Sequence, residues 1–174
     1  MKKRVLLLLV LLSCAGSVDS QARTLSIQNF AGVNANIYRG GRPSASDLSI
    51  LKSKYKIKTI IDLEDQSSVM AVEQKNAEAI GINWIKEEMS ATVVPGDSEL
   101  ADINEILTDP SYFPIYVHCL HGEDRTGLVI GLYDVEVQKM DPAVAYQEML
   151  RSGFHPKYTA LDETFRNKTG YDGP

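Results

Sequence analysis

Short apolar runs alternate with amphipathic stretches along most of this 174-residue chain. Continuous β-branched runs mark buried strands, and apolar residues three and four apart mark helices with one buried face. Residues 36–39 (Asn-Ile-Tyr-Arg) read as a short strand stopped by Gly40-Gly41. Residues 57–63 (Ile-Lys-Thr-Ile-Ile-Asp-Leu) read as a central strand, 82–86 as another and 113–117 (Phe-Pro-Ile-Tyr-Val) as a fourth. Ser44 or Ser46 can cap a helix through Leu48, Leu51 and Tyr55. A second helix covers 68–80, with Gly81 at its C-terminal stop. Asp97 or Ser98 caps a third, with Leu100, Ile103, Ile106 and Leu107 on one face. Residues 128–135 are apolar enough for a largely buried helix, and two more helices close the chain. One opens at Asp141-Pro142 and ends at Gly153; the last covers 156–167. The stretch 87–96 shows neither period.

Strands alternating with helices predict an α/β fold: a single domain with a central, mainly parallel sheet flanked by helices. The length suits one core, and there is no repeat, low-complexity tract or internal linker. Ligands of such sheets sit beyond the carboxyl ends of the strands, which directs attention to residues 118–127.

The amino-terminal segment departs from this pattern. Lys2-Lys3-Arg4 precedes eight consecutive apolar residues, 5–12, a run too short to span a bilayer and suited to an export signal. Leu11-Leu12-Ser13-Cys14-Ala15-Gly16 resembles a bacterial lipoprotein box, whose cysteine becomes the lipidated first residue; cleavage after Ser20 is the alternative. Residues 1–20 are therefore expected to be a signal, with a short tether over 15–24, and residues 21–174 the functional domain. The product would be an exported bacterial protein, periplasmic or anchored to the membrane through Cys14. Loss of three basic residues makes the net charge of −5 more negative still. An acidic domain matches nucleic acid poorly. Cys119 is then the last thiol, so no internal disulfide can form and chemical use of that thiol is expected.

Residues 118–127 read His-Cys-Leu-His-Gly-Glu-Asp-Arg-Thr-Gly. A loop between a strand and a helix start surrounds its contents with N–H groups that favour an anion. That field also makes Cys119 available as thiolate. Arg125, six positions after Cys119, can clamp two oxygens of a tetrahedral oxyanion.

This string resembles the signature of the cysteine-dependent protein tyrosine and dual-specificity phosphatase superfamily. Residues 37–43 (Ile-Tyr-Arg-Gly-Gly-Arg-Pro) and 57–63 extend the likeness to the small atypical dual-specificity phosphatases of plants and fungi and their bacterial relatives, over residues 33–165. The resemblance implies a phosphomonoesterase with a phosphocysteine intermediate and no cofactor. Cys119 would be the nucleophile and Arg125 would bind the equatorial oxygens. The backbone of Leu120, His121, Gly122, Glu123, Asp124 and Arg125 would complete the cradle. Thr126 would donate to the sulfur, His118 would orient the loop, and Gly122 would supply a conformation or clearance that a Cβ obstructs.

The general acid is less defined. The loop 87–96 lacks a Trp-Pro-Asp pattern, although Glu87, Glu88 and Asp97 lie in or beside it. The cysteine loop also fits Cys-x-x-Gly-x-Asp-Arg-Thr, a pattern shared with myotubularin lipid phosphatases, where the aspartate is the proposed acid. Asp124 is therefore the first candidate, with Glu87 and Glu88 next. Arg39, Arg42 and Lys86 could converge on a substrate from strand ends. Expected substrates are inositol phosphates or phosphoinositides, or phosphotyrosine-type phosphoproteins, handled by a monomer. An inactive phosphate-binding module and a rhodanese-like sulfurtransferase are the alternatives. The first commonly lacks the Cys or Arg, and the second has a shorter Cys-to-Arg spacing. His118 and His121 beside Cys119 do not suffice as zinc ligands, so no metal is expected.

Overall fold

The structure is a computed structural model describing residues 24–173. The expected export signal, Cys14 and most of the tether lie outside the described residues.

The sheet comprises β1 (Ala31–Gly32), β2 (Ile37–Gly40), β3 (Thr59–Asp62), β4 (Asn83–Lys86) and β5 (Ile115–His118), in the order β1-β2-β5-β3-β4. β5 pairs in parallel with β2 and β3, placing His118 between Gly40 and Asp62. β4 continues the parallel set beyond β3. Only β1 is antiparallel, with Ala31 opposite Arg39. Two residues offer no alternation to read, so the apolar pattern does not show this edge.

Both faces of the sheet are covered, which is why β3 and β5 are buried at every position. α1 (Ala45–Ser53) and α2 (Ser67–Ala79) enclose Leu48, Leu51, Ile60, Ala77 and Tyr116 on one face. On the other, α3 (Asp97–Thr108), α4 (Asp124–Glu136), α5 (Pro142–Arg151) and α6 (Thr159–Thr169) pack over Ile37, Ile61, Ile115 and Val117. Successive residues thus go to opposite faces: Tyr116 below, Val117 above, His118 below, Cys119 above.

α4 is the axis of the larger layer. It is buried without a break from Thr126 to Asp134, and α5 and α6 both pack on it. A Cβ on Gly131 would lie 2.5 Å from Met149 Sδ and 3.1 Å from Phe165 Cε2, so the missing side chain sets how closely the helices approach. The helix starts at Asp124 rather than at Leu128, which places Asp124, Arg125 and Thr126 in its first turn.

Ser44 caps α1, with Asp47 reaching back to its N–H, and Asp141 caps α5 ahead of Pro142. Two helix starts differ from the expected ones. α3 is capped by Gly96, whose N–H donates to Glu99 at 3.3 Å, so Asp97 is the first helical residue and not the cap. α6 begins at Thr159 because Pro156 sits in a turn closed by the Tyr158 N–H on the His155 carbonyl. No helix among the described residues is long and apolar enough to cross a membrane.

Candidate active site

The segment between β5 and α4 is held by its carbonyl groups. The Leu120 carbonyl accepts the Arg42 N–H at 3.1 Å, the His121 carbonyl accepts Asn29 Nδ2 at 3.1 Å, and the Gly122 carbonyl accepts Arg39 Nη2 at 2.5 Å. Glu123 is fixed by Gln28 Nε2 at 2.9 Å and Asn29 Nδ2 at 3.2 Å. With three successive carbonyls tied to the scaffold, the N–H groups from Leu120 to Thr126 have no acceptor among the described residues. Unshared N–H groups at a helix start are an anion cradle.

Gly122 makes this closeness achievable. Its φ is +72°, and a Cβ there would stand 2.2 Å from the Gly40 carbonyl carbon and 2.6 Å from Gly41 N. Both reasons for glycine, left-handed backbone and close approach, therefore apply at once.

Cys119 is 3% exposed and is the free cysteine of the described residues. Arg125 donates from Nη1 to the Leu63 and Met89 carbonyls and to Asp65 Oδ1, each at 3.3 Å. Its Nε and Nη2 make no hydrogen bond among the described residues, so part of the guanidinium is unshared. The Thr126 hydroxyl is fully buried and has no partner among the described residues, the Cys119 sulfur included.

Residues 24–169 match the profile of the tyrosine phosphatase family. The chain belongs to that family. It is 29% identical to the inositol diphosphatase Siw14 of Saccharomyces cerevisiae over 147 residues, 79% of this chain and 50% of that protein. It is 24% identical to the dual specificity protein phosphatase TpbA of Pseudomonas aeruginosa, over 72% of this chain and 55% of that one. The chain therefore spans about half the length of these curated relatives. The crystal structure of the Siw14 core catalytic domain in complex with citrate superposes with a TM-score of 0.68 at 29% identity, covering 82% of this chain and 86% of that one. TpbA superposes at 0.69 with 22% identity, over 82% and 85% of the two chains.

Beneath this family signature loop lies a buried ionic group. His118, with no exposed surface, bonds Glu73 Oε1 through Nε2 at 2.8 Å, and its Nδ1 lies 4.0 Å from Asp62 Oδ1. Burial alone lowers its pKa, but Glu73, then Asp62 and Glu64, outweigh that and raise it to about 9. Burial pushes the Asp62 carboxyl up to about 6, against the pull of His118. His118 is thus imidazolium at neutral pH and anchors the end of β5 to α2. The zinc set of His118, His121 and Cys119 considered from the sequence is not assembled; Asp62 and Glu73 take His118 instead.

The expected substrate cations are already engaged. Arg39 is buried on the Gly122 carbonyl, and Arg42 makes a bidentate pair with buried Glu64. Lys86 pairs with Glu88. Arg39 through its guanidinium and Arg42 through its backbone N–H hold the loop. The acid candidates differ in their surroundings. Glu87 sits by Glu99 and Asp102 of α3, and burial together with those charges raises its pKa. Asp97 pairs with Lys168 at 2.7 Å. Asp124 Oδ1 accepts both the backbone N–H of His155 at 2.8 Å and His155 Nδ1 at 3.0 Å.

Glu73, Asp65 and His155 are absent from the expected set. Glu73 falls between Met70 and Ala77 on one buried helical stripe, where a carboxylate signals a buried partner. Asp65 lies three positions beyond the end of β3, and only the fold brings His155 to the loop.

Gly122→Ala is expected to weaken binding of inorganic phosphate by about 100-fold or more, read by calorimetry. Glu73→Gln removes the partner of a buried imidazolium and is expected to cost about 3 kcal/mol of stability at pH 7. Because the raised His118 pKa contributes stability that is lost as pH rises through about 9, urea unfolding should show the deficit shrinking above that pH. A deficit unchanged between pH 7 and 10 contradicts this assignment.

Proposed function

We propose that the chain is a cysteine-dependent phosphatase that works through a phosphocysteine intermediate. The observation that carries the reading is the run of unshared N–H groups from Leu120 to Thr126 around a buried cysteine and a partly unshared arginine. The Cys119 thiolate attacks phosphorus while the backbone N–H groups and Arg125 hold the oxygens. Charge grows on those oxygens in the transition state, so donors fixed in advance stabilise it without reorganising. The Thr126 hydroxyl, buried and without a partner, donates to the sulfur when the phosphocysteine hydrolyses. His118 positions the loop from beneath as an imidazolium; it is not the proton carrier.

Inositol phosphates are the first substrate class. Siw14 and a relative of Arabidopsis thaliana, 30% identical over 107 residues, are both named inositol diphosphatases. A specific observation favours phosphotyrosine as the second. Arg39, Arg42 and Lys86 each already hold an acceptor, whereas several phosphates on one ring call for several unshared cations. Export, as a lipoprotein or a periplasmic protein, is the proposed setting, supported by the basic start, the apolar run and the box around Cys14.

Hydrolysis of p-nitrophenyl phosphate by the purified protein is expected, with Cys119→Ser slower by about a thousandfold or more. Phosphate release from matched inositol phosphates and phosphotyrosine peptides then ranks the two substrate classes. Wild-type turnover no faster than Cys119→Ser would leave a phosphate-binding module, and thiosulfate-dependent sulfur transfer in its place would indicate a sulfurtransferase.

A further inference from the structure

We propose that His155, oriented by Asp124, carries the proton to and from the reacting oxygens. This rests on the phosphatase reading and deepens it. His155 lies in the turn between α5 and α6, more than thirty positions from Cys119, and this turn is docked on the catalytic loop. Phe154 is buried with its ring 3.3 Å from where a Gly127 Cβ would stand. Gly153, at φ +89°, is so close to Glu123 that a Cβ would come within 2.8 Å of Glu123 Cγ. The turn therefore cannot drift from the wall of the cradle.

Asp124 completes the attachment. One oxygen, Oδ1, accepts both the His155 backbone N–H and the ring Nδ1–H. The backbone bond fixes where the residue starts and the ring bond fixes which way the imidazole turns. Nδ1 is consumed, so the exchangeable proton belongs to Nε2. The ring is 47% exposed, whereas the Asp124 side chain is 15% exposed, so of the two groups the imidazole is the one open to solvent and to a ligand. Both donors fall on the one Asp124 oxygen, at the first position of α4, so this carboxylate is committed to holding the turn. Glu123 and Tyr158 also lie beside the ring, and Lys157 stacks its ammonium over Tyr158.

Of the other carboxylates read from the sequence as acids, two are paired and Glu87 is set against other acids. Glu88 pairs with Lys86, Asp97 with Lys168, and Glu87 lies against Glu99 and Asp102. Asp65 is on Arg125, where it balances the clamp. In the first step the Cys119 sulfur–phosphorus bond forms, the phosphorus–oxygen bond to the leaving group breaks, and that oxygen takes the Nε2 proton. In the second, neutral Nε2 takes a proton from water as its oxygen attacks phosphorus. The phosphorus–sulfur bond then breaks, and thiolate, imidazolium and phosphate result.

The test compares phenyl phosphate, a poor leaving group, with 2,4-dinitrophenyl phosphate, a good one, across pH and with EDTA present. His155→Asn is expected to lower the ratio of kcat/KM for the poor over the good substrate by about 10²–10³-fold and to abolish the high-pH limb of the profile. Asp124→Asn, a positioning change, should retain that limb and lower the ratio by less than His155→Asn does. Cys119-dependent turnover with the ratio unchanged in His155→Asn overturns the His155 assignment alone. So does a ratio lost in Asp65→Asn but kept in His155→Asn, or wild-type activity lost in EDTA. Absence of Cys119-dependent turnover on both esters overturns the phosphatase reading and this one together.

Discussion

The Gly122 carbonyl rests on the guanidinium of buried Arg39, and the geometry of the site follows from that bond together with two neighbouring ones. A peptide unit that turns its C=O toward the scaffold turns its N–H the other way. Fixing three successive carbonyls with Arg42 N, Asn29 and Arg39 therefore turns a loop into a cradle of donors before any ligand arrives. Burial lowers the Arg39 pKa, while Cys119 and Asp134 nearby favour its charged form. The charge that fixes the loop thus also lies close to the Cys119 sulfur. Gly122 is the counterpart of this bond, because any side chain there would collide with the Gly40-Gly41 backbone.

The layer below the loop is held differently. His118, Glu73 and Asp62 form a buried ionic group whose net effect is to retain the imidazolium, and Arg42 with Glu64 adds a bidentate pair beside it. Buried ion pairs add little net stability compared with apolar packing, but breaking one is costly. Their value here is register. They fix the end of β5 against α2 and β3, so that Cys119 leaves the strand at one height and faces α4. Acidic residues at the mouth are likewise used: Glu123 fastens the amino-terminal segment, and Asp124 fastens the α5–α6 turn.

Much of this was legible in the sequence where one local period decides the structure. The strands at 57–63 and 82–86, the helix through Leu100 and Leu107, and the caps at Ser44 and Asp141 all appear close to their expected places. The placement of Cys119 at the carboxyl end of a central parallel strand follows from the same alternation. What the sequence hides is partnership between distant segments. Arg39 looks like a substrate cation until the fold shows it beneath Gly122, and Arg42 until Glu64 is found against it. The β1 edge is too short to carry a pattern. His155 has no local signal at all; its relation to Asp124 exists only because Phe154 and Gly153 dock the turn on α4.

The central claim is that this preformed cradle presents Cys119 to phosphorus as the nucleophile. Rapid acid quench of the protein turning over an aryl phosphate, followed by peptide mass spectrometry, reads it directly. The account predicts one phosphoryl group per chain, carried on Cys119 and absent from Cys119→Ser. Steady turnover with no phosphorylated Cys119, or with the phosphoryl group on another residue, would contradict it.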